Sequence, residues 1–354
     1  MNFPEFISLT LTNACNLRCR MCGQWSETGY MHQKKDCLKQ ELRISDWIRV
    51  VDEIRGHRVG TVLLRGGEVF LLPWIGELLE YLRHKELFIS IDTNGTALKD
   101  YLRILARMGE KLHLTFSVDG PEEIHDQVRG IKGAFGRMKE NIRQLLELER
   151  ELGTKSSKSA CFTISPYSYR GLGQLPEVIR SLGIESLSIV PYYYFSETVG
   201  RQYEKVMREE LGCEAFSWAG FHHETSGIDW DVFRDEYRQF LNSLNGLQVF
   251  PYMGSGKEGF KEEDYRIWFA GCYSPVGSTA CYNVERFLDI QPNGDANFCC
   301  DFPDYVIGNV REATIQEIWN SGRADRFREY RRQKSLPICW RCGAKYMSEI
   351  GEKV

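Results

Sequence analysis

FISLTLTNACNLRCRMC, residues 6–22, places an apolar, β-branched run directly ahead of three cysteines, Cys15, Cys19 and Cys22. FISLTL reads as a strand, so the thiols sit on the loop leaving its carboxyl end. The same order recurs downstream. Trp47, Val50, Val51 and Ile54 fall at helical spacing with Ser45 placed as their cap, and TVLLR from Thr61 is the next strand. Pro73 opens a helix bearing Ile75, Leu78, Leu79 and Leu82 on one face. Strands LFISID, LHLTFSVD, ACFTIS and SLSIV follow with helical stretches between them, giving six β/α units. Such units imply parallel strands with right-handed crossovers, in an open doubly wound sheet or a barrel. Chemistry gathers beyond the carboxyl ends of the strands in both. The loops there read ACNLRCRMC, RGGE, DTNG, SVDG, SPYS and PYYY.

Bulk properties narrow the class. The chain has 354 residues, 42% hydrophobic and 27% charged, ordinary for a globular protein with room for one large core and a smaller appended unit. A net charge of -4 gives no general attraction for nucleic acid. No apolar run reaches the roughly 20 residues of a membrane span, and no signal peptide precedes the first strand, so a cytoplasmic location is expected. Twelve cysteines in a reducing compartment point to metal or redox chemistry.

A tetrahedral zinc site asks for four ligands, whereas three thiolates on a cubane leave one iron open. An incomplete zinc site borrowing Cys37 is the alternative reading of the first group. The CxxxCxxC spacing after a first strand resembles the radical S-adenosylmethionine (SAM) superfamily. The resemblance extends to Gly66, Gly67 and Glu68, matching the GGE stretch that binds the amino group of SAM, and to FSVDGPEEIHDQVRG from Phe116. It implies a partial (β/α)6 TIM-like barrel, an α/β fold, over residues 1–195. It also implies that Cys15, Cys19 and Cys22 hold a 4Fe-4S cluster. By the same analogy Ser117 and Arg129 contact the SAM ribose and carboxylate, and Asn94 lines the site.

The back half differs. Charged amphipathic helices near Glu197–Leu211 and Trp230–Leu244 suggest a helical bridge over 196–270, and the pair His222, His223 with Glu224 reads as a solvated loop. CYNVERFLDIQPNGDANFCC is a hairpin turning at Pro292, Asn293 and Gly294, with Cys281 and Cys299 at its outer ends; CWRC adds Cys339 and Cys342. These four resemble the twitch domain, a short relative of the SPASM extension, here a small α+β unit over 271–354. The resemblance implies one auxiliary 4Fe-4S cluster, since no cysteine follows Cys342, with zinc as the alternative metal. Cys272 is a substitute ligand or, like Cys300, a candidate hydrogen-atom donor. Cys37, Cys161 and Cys213 read as ordinary thiols. PYYYF reads as core or interface, and RADRFREYRRQK as a solvated helix.

The implied reaction is hydrogen abstraction by a 5'-deoxyadenosyl radical from a small polar, sugar- or alcohol-like molecule or from a peptide. Net oxidation would run through the auxiliary cluster, and a flavodoxin or ferredoxin would serve as reductant. Little chain precedes Cys15, which favours a small substrate or a peptide delivered by a partner. Epimerisation with a cysteine donor and ribosomal-peptide maturation are the alternatives within the family. A non-catalytic zinc module is the alternative outside it.

Overall fold

The opening run is a strand, β1 (Phe6–Thr12), buried at every residue but Phe6. The computed structural model describes residues 3–32, 34–251, 261–271, 281 and 283–342. Cys272 and the side chain of Cys37 lie outside the described residues. After β1 come α1 (Ile44–Arg55), β2 (Thr61–Gly66), α2 (Ile75–Arg83), β3 (Ile89–Thr93), α3 (Leu102–Met108) and β4 (Leu112–Ser117). The alternation continues with α4 (Glu122–Arg129), α5 (Ala134–Leu152), β5 (Ser157–Ile164), α6 (Leu175–Ser181) and β6 (Ser186–Pro191). These are the six units of a partial barrel, with all neighbouring strands parallel.

Patterning explains the layers. Trp47, Val50, Val51 and Ile54 of α1 and Ile75, Leu78, Leu79 and Leu82 of α2 are all buried, as their spacing requires. Each such side chain contributes about 1.5–3 kcal/mol when fully removed from water. Ser45 is not the cap of α1: the helix starts one residue earlier, and Asp46 accepts from the Arg43 N–H at 3.1 Å. On β1, Ile7, Leu9 and Leu11 join the apolar cluster, so Ser8, Thr10 and Thr12 face the other way. Register carries that polar face across the sheet, pairing Thr10 with Arg65, Asp92 with Thr115 and Ser117 with Cys161. The barrel interior is therefore polar.

Past β6, α7 (Glu197–Glu209) and α8 (Trp230–Asn242) match the two charged helices read from sequence. A seventh strand, β7 (Gln248–Pro251), then pairs parallel with β6, so the sheet continues where the rhythm was expected to stop. Helix α9 (Glu262–Phe269) follows. The last unit comprises α10 (Asn283–Arg286), β8 (Phe287–Ile290), β9 (Asp295–Asn297), β10 (Gly308–Asn309), α11 (Ile315–Trp319) and α12 (Gly322–Gln333). β8 and β9 form the expected hairpin; Gly294, at φ 92°, supplies the left-handed residue of its turn.

This unit does not merely sit beside the barrel. β8 pairs parallel with β1, from Phe6 opposite Phe287 to Leu9 opposite Ile290, giving one sheet ordered β10-β9-β8-β1-β2-β3-β4-β5-β6-β7. Asp289, fully buried on β8, accepts from Thr10 Oγ1 at 3.0 Å and fixes the join. Asp304 makes a second join, accepting from Tyr203 Oη at 2.9 Å and from the Phe216 and Ser217 N–H groups at 3.0 and 3.2 Å.

Candidate functional site

The three front cysteines lie on the loop between β1 and α1, at the carboxyl end of the sheet. Each sulfur accepts one N–H: Cys15 from Leu17 at 3.4 Å, Cys22 from Trp25 at 3.4 Å and Cys19 from Arg129 Nη1 at 3.5 Å. Donors aimed at sulfur favour the thiolate that a metal needs. Burial opposes it in the metal-free chain, pushing the Cys15 thiol up to about 12 and the Cys19 thiol up to about 11. Metal binding would thus have to displace protons here. The residues fit a cluster anchored at three corners.

Gly66 and Gly67 owe their identity to this loop. A Cβ on Gly66 would meet the Thr12 carbonyl oxygen at 2.3 Å, and one on Gly67 the Ala14 oxygen at 2.1 Å. The close approach lets Gly67 N–H donate to Thr12 O and Glu68 N–H to Ala14 O, both at 2.8 Å. Sequence reading took the glycines as room for a ligand; what they first make room for is the cysteine loop itself. Glu68 is buried and accepts from Thr93 Oγ1 at 2.9 Å, the Asn94 N–H at 2.8 Å and the Phe70 N–H at 3.3 Å. Burial still holds its carboxyl up at about 7. Glu68 therefore clamps the β3 loop and orients Asn94, whose Nδ2 donates to Asn16 Oδ1 at 3.0 Å inside the cysteine loop.

Ser117 sits half-buried at the end of β4. Arg129, at the last turn of α4, is buried rather than on the surface: Nε donates to Asp119 Oδ2 at 2.5 Å while Nη1 reaches Cys19. Two neighbours are orphaned. Asp119 Oδ1 and His125 Nε2 are buried without a hydrogen-bond partner among the described residues. Burial pushes His125 down to about 3, so its ring is neutral. Unsatisfied polar atoms beside a cysteine trio are consistent with a polar ligand there. His125 escaped sequence reading because a histidine inside a helix carries no sign of its burial.

The back cysteines come from three segments, before α10, after β9 and after α12. Their charges act on shared neighbours: Arg331 feels Cys339, Cys281 and Cys342, Tyr203 feels Cys299 and Cys339, and Tyr193 feels Cys342 and Cys299. Cys281, Cys299, Cys339 and Cys342 thus lie in one region of the fold. Among the described residues no group of three or more His, Cys, Asp or Glu side chains is placed to hold a metal ion.

Cys300 faces elsewhere. Burial pushes its thiol well up, and the charges of Arg65, Asp301, Asp289 and Asp92 act on it. Cys161, on β5, feels Asp92 and Arg65 too. Tyr192 and Tyr194 are buried and stacked, while Tyr193 donates to Asp301 at 3.1 Å and packs on Phe302, making PYYYF an interface. His222 pairs with Glu224 at 3.1 Å on the surface, the solvated loop expected. The basic helix α12 departs from expectation, because Arg328 and Arg331 are buried.

Comparison with known proteins follows this geometry. Residues 9–157 match the Radical SAM superfamily and residues 281–343 the iron-sulfur cluster-binding domain named SPASM. The chain is 32% identical to the sporulation killing factor maturation protein SkfB of Bacillus subtilis over 145 residues, 41% of this chain and 33% of that protein. It is 23% identical to the antilisterial bacteriocin subtilosin biosynthesis protein AlbA of the same organism, over 98% of this chain and 68% of that one. The chain thus spans a third of one of these relatives and about two thirds of the other. Among solved structures, Streptococcus suis SuiB bound to precursor peptide SuiA superposes with a TM-score of 0.62 at 16% identity, covering 100% of this chain and 74% of that one.

Proposed function

We propose that this chain, which belongs to the radical SAM superfamily and carries a C-terminal cluster-binding domain, matures a peptide substrate by abstracting hydrogen from an unactivated C–H bond. It is an enzyme that uses SAM and two 4Fe-4S clusters. When bound, the cluster and SAM together supply a 5'-deoxyadenosyl radical. The remaining work belongs to the protein. Cys15, Cys19 and Cys22 would hold one cluster, the Gly66–Gly67 backbone, Glu68 and Asn94 would shape the amino-group pocket, and Ser117 and Arg129 would orient the ribose and carboxylate. Cys281, Cys299, Cys339 and Cys342 would hold the second cluster, which would supply an electron acceptor for a net oxidation.

The observation that carries this reading is the sheet that joins both cysteine groups, since β8 pairs directly with β1. Support for a peptide comes from the names of a sporulation killing factor maturation protein and a bacteriocin biosynthesis protein, and from SuiB bound to a precursor peptide, beside other relatives named for heme synthesis. Three units, 1–195, 196–270 and 271–354, would divide the labour, with a flavodoxin or ferredoxin as reductant in the cytoplasm. No helix among the described residues is long and apolar enough to cross a membrane. Anaerobic reconstitution followed by iron and sulfide counts, SAM cleavage and product mass tests the proposal. A product two hydrogens lighter than the peptide is expected, and absence of SAM cleavage by iron-loaded protein refutes it.

Epimerisation is the second reading, supported by the electrostatic influence of Cys300 on Arg65, which pairs with Thr10 on the polar face of the sheet. There Cys300 would return a hydrogen atom to the opposite face of the substrate radical. Solvent deuterium in a product of unchanged composition supports it, and full turnover by Cys300→Ala removes it. Cys272, outside the described residues, stays a candidate for the same role on sequence grounds alone.

A further inference from the structure

The residues that lead into Cys15 are pinned from two sides. From the loop after β2, Gly67 N–H donates to Thr12 O and Glu68 N–H to Ala14 O, both at 2.8 Å. On the other side stands Glu41, half-buried and 29 residues beyond Thr12. Its carboxylate accepts from Thr12 Oγ1, 2.9 Å from Oε1 and 3.0 Å from Oε2, and from the Asn13 N–H at 2.8 Å. Thr12 Oγ1 in turn accepts from the Ala14 N–H at 2.9 Å, and Asn13 O accepts from Trp25 Nε1 at 2.7 Å, where the cysteine loop closes back on its own start. Hydrogen bonds to a carboxylate are roughly twice as strong as neutral ones, so Glu41 is a firm anchor for this backbone. The chain on either side of Glu41 is held by the rear unit. Leu42 N–H donates to Pro292 O at 2.6 Å in the β8–β9 turn, and Arg311 Nη2, just past β10, donates to Gln40 O at 2.8 Å. That unit is docked independently of these two contacts: Arg49 Nη2 donates to Val310 O at 2.7 Å, Glu53 accepts from the Gln316 N–H at 3.2 Å, and β8 pairs with β1.

We propose that Glu41 is a positioning residue of the front site: it fixes the chain entering Cys15 and couples that geometry to the docking of the rear unit. The inference rests on the reading that Cys15, Cys19 and Cys22 hold the SAM-binding cluster. Glu41 makes its bonds to Thr12 and Asn13 and acts on the thiols through the backbone. A shift at either residue moves Cys15 relative to Cys19 and Cys22, whereas three thiolates on one cube must keep the spacing that the cube dictates. Groups one bond removed from a metal's ligands orient those ligands in this way. The functional consequence is that the open metal corner is set in its SAM-binding position only when the hairpin turn and Arg311 have closed on residues 40–42.

The test uses the full chain in a Cys281→Ala, Cys299→Ala background, where only the front cluster can be built. Iron and sulfide are counted after anaerobic reconstitution, and SAM is titrated into the reduced protein while the cluster's electron paramagnetic resonance signal is followed. Glu41→Ala is expected to raise the SAM concentration at half-change about tenfold. Glu41→Gln, which keeps an acceptor for the Asn13 N–H, should recover part of that shift. Arg311→Ala should give a smaller shift in the same direction, and no further shift when added to Glu41→Ala, since both interrupt one relay. An unchanged half-point in iron-loaded Glu41→Ala overturns the positioning role, and additive shifts overturn the coupling. Should Glu41→Ala lose iron, Glu41→Gln decides: bound iron with a weakened SAM response supports the proposal, while bound iron with the parental response, or loss of iron there as well, overturns it in favour of a plain fold contact. If the parent background binds no iron, the reading of the three front cysteines has failed, and Glu41 has no cluster to position.

Discussion

The two cysteine sites solve one problem from opposite ends. At the front, a single loop carries all three thiols within eight residues, and neighbouring loops close on it through glycine backbone and one arginine. At the rear, four thiols come from segments up to sixty residues apart and meet only when the hairpin, α12 and the final turn have packed. Yet the local chemistry repeats. Each contains a CxxC turn closed by the same bond, Cys22 N–H to Cys19 O at 3.1 Å and Cys342 N–H to Cys339 O at 3.2 Å. At the front a buried arginine, Arg129, also donates to the Cys19 sulfur. The difference lies in ligand count. Three sulfurs leave a metal corner for a substrate-like ligand, while four close the site to all but electrons.

The sharpest way to break this comparison is to remove one site at a time. Replacing Cys15, Cys19 and Cys22 by alanine is expected to abolish SAM cleavage and remove about four of an expected eight irons per chain. Cys281→Ala with Cys299→Ala should remove a similar number but leave reductive SAM cleavage measurable, with product formation lost. Equal loss of SAM cleavage in both would show that the sites do not divide the work. Iron analysis and 5'-deoxyadenosine quantitation decide it.

Smaller effects sharpen the front site. Gly67→Ala drives a methyl group towards the Ala14 carbonyl and is expected to destabilise the apo chain by about 2–3 kcal/mol, read by urea unfolding. It should also weaken SAM binding, whereas alanine at Gly212, where nothing lies within 4 Å of the added atom, is strained only by its left-handed backbone. Glu68 gives a pH signature. Its carboxyl is held up at about 7 from an ordinary 4.5, so the folded chain keeps a proton that the unfolded chain has already lost. Its contribution to stability is thus fullest below pH 4.5 and fades as pH rises to about 7, a change of about 3 kcal/mol. Glu68→Gln should flatten that part of the unfolding profile of the apo protein; an unaltered slope would place the titration elsewhere.

Legibility followed the same divide between local and dispersed. The helical stripes of α1 and α2 and the six strands were readable because apolar period records which side faces the core. The front thiols were readable because their spacing lies in one loop. At the rear, the PNG turn and the CWRC pair marked the candidate ligands, but nothing in the charge pattern of RADRFREYRRQK marks Arg328 and Arg331 as buried, since interleaved charges look alike whether they meet water or the core. β7 was missed because four residues ending in Pro251 carry too short a pattern to register. Glu68 was read as a ligand for an ammonium group, while its three donors from the β2 and β3 loops could be seen only once those loops were in place.

The pairing of β1 with β8 has a consequence for how the molecule is made. Thr10 and Asp289 stand 279 residues apart in sequence, so one flank of β1 has no native neighbour until that much further chain has been synthesised. Contacts so distant form slowly, and an unmatched strand flank invites wrong neighbours meanwhile. Assembly of the inorganic centres should accordingly be a late, post-synthetic event, and a ribosome-stalled fragment ending before Phe287 should be prone to self-association.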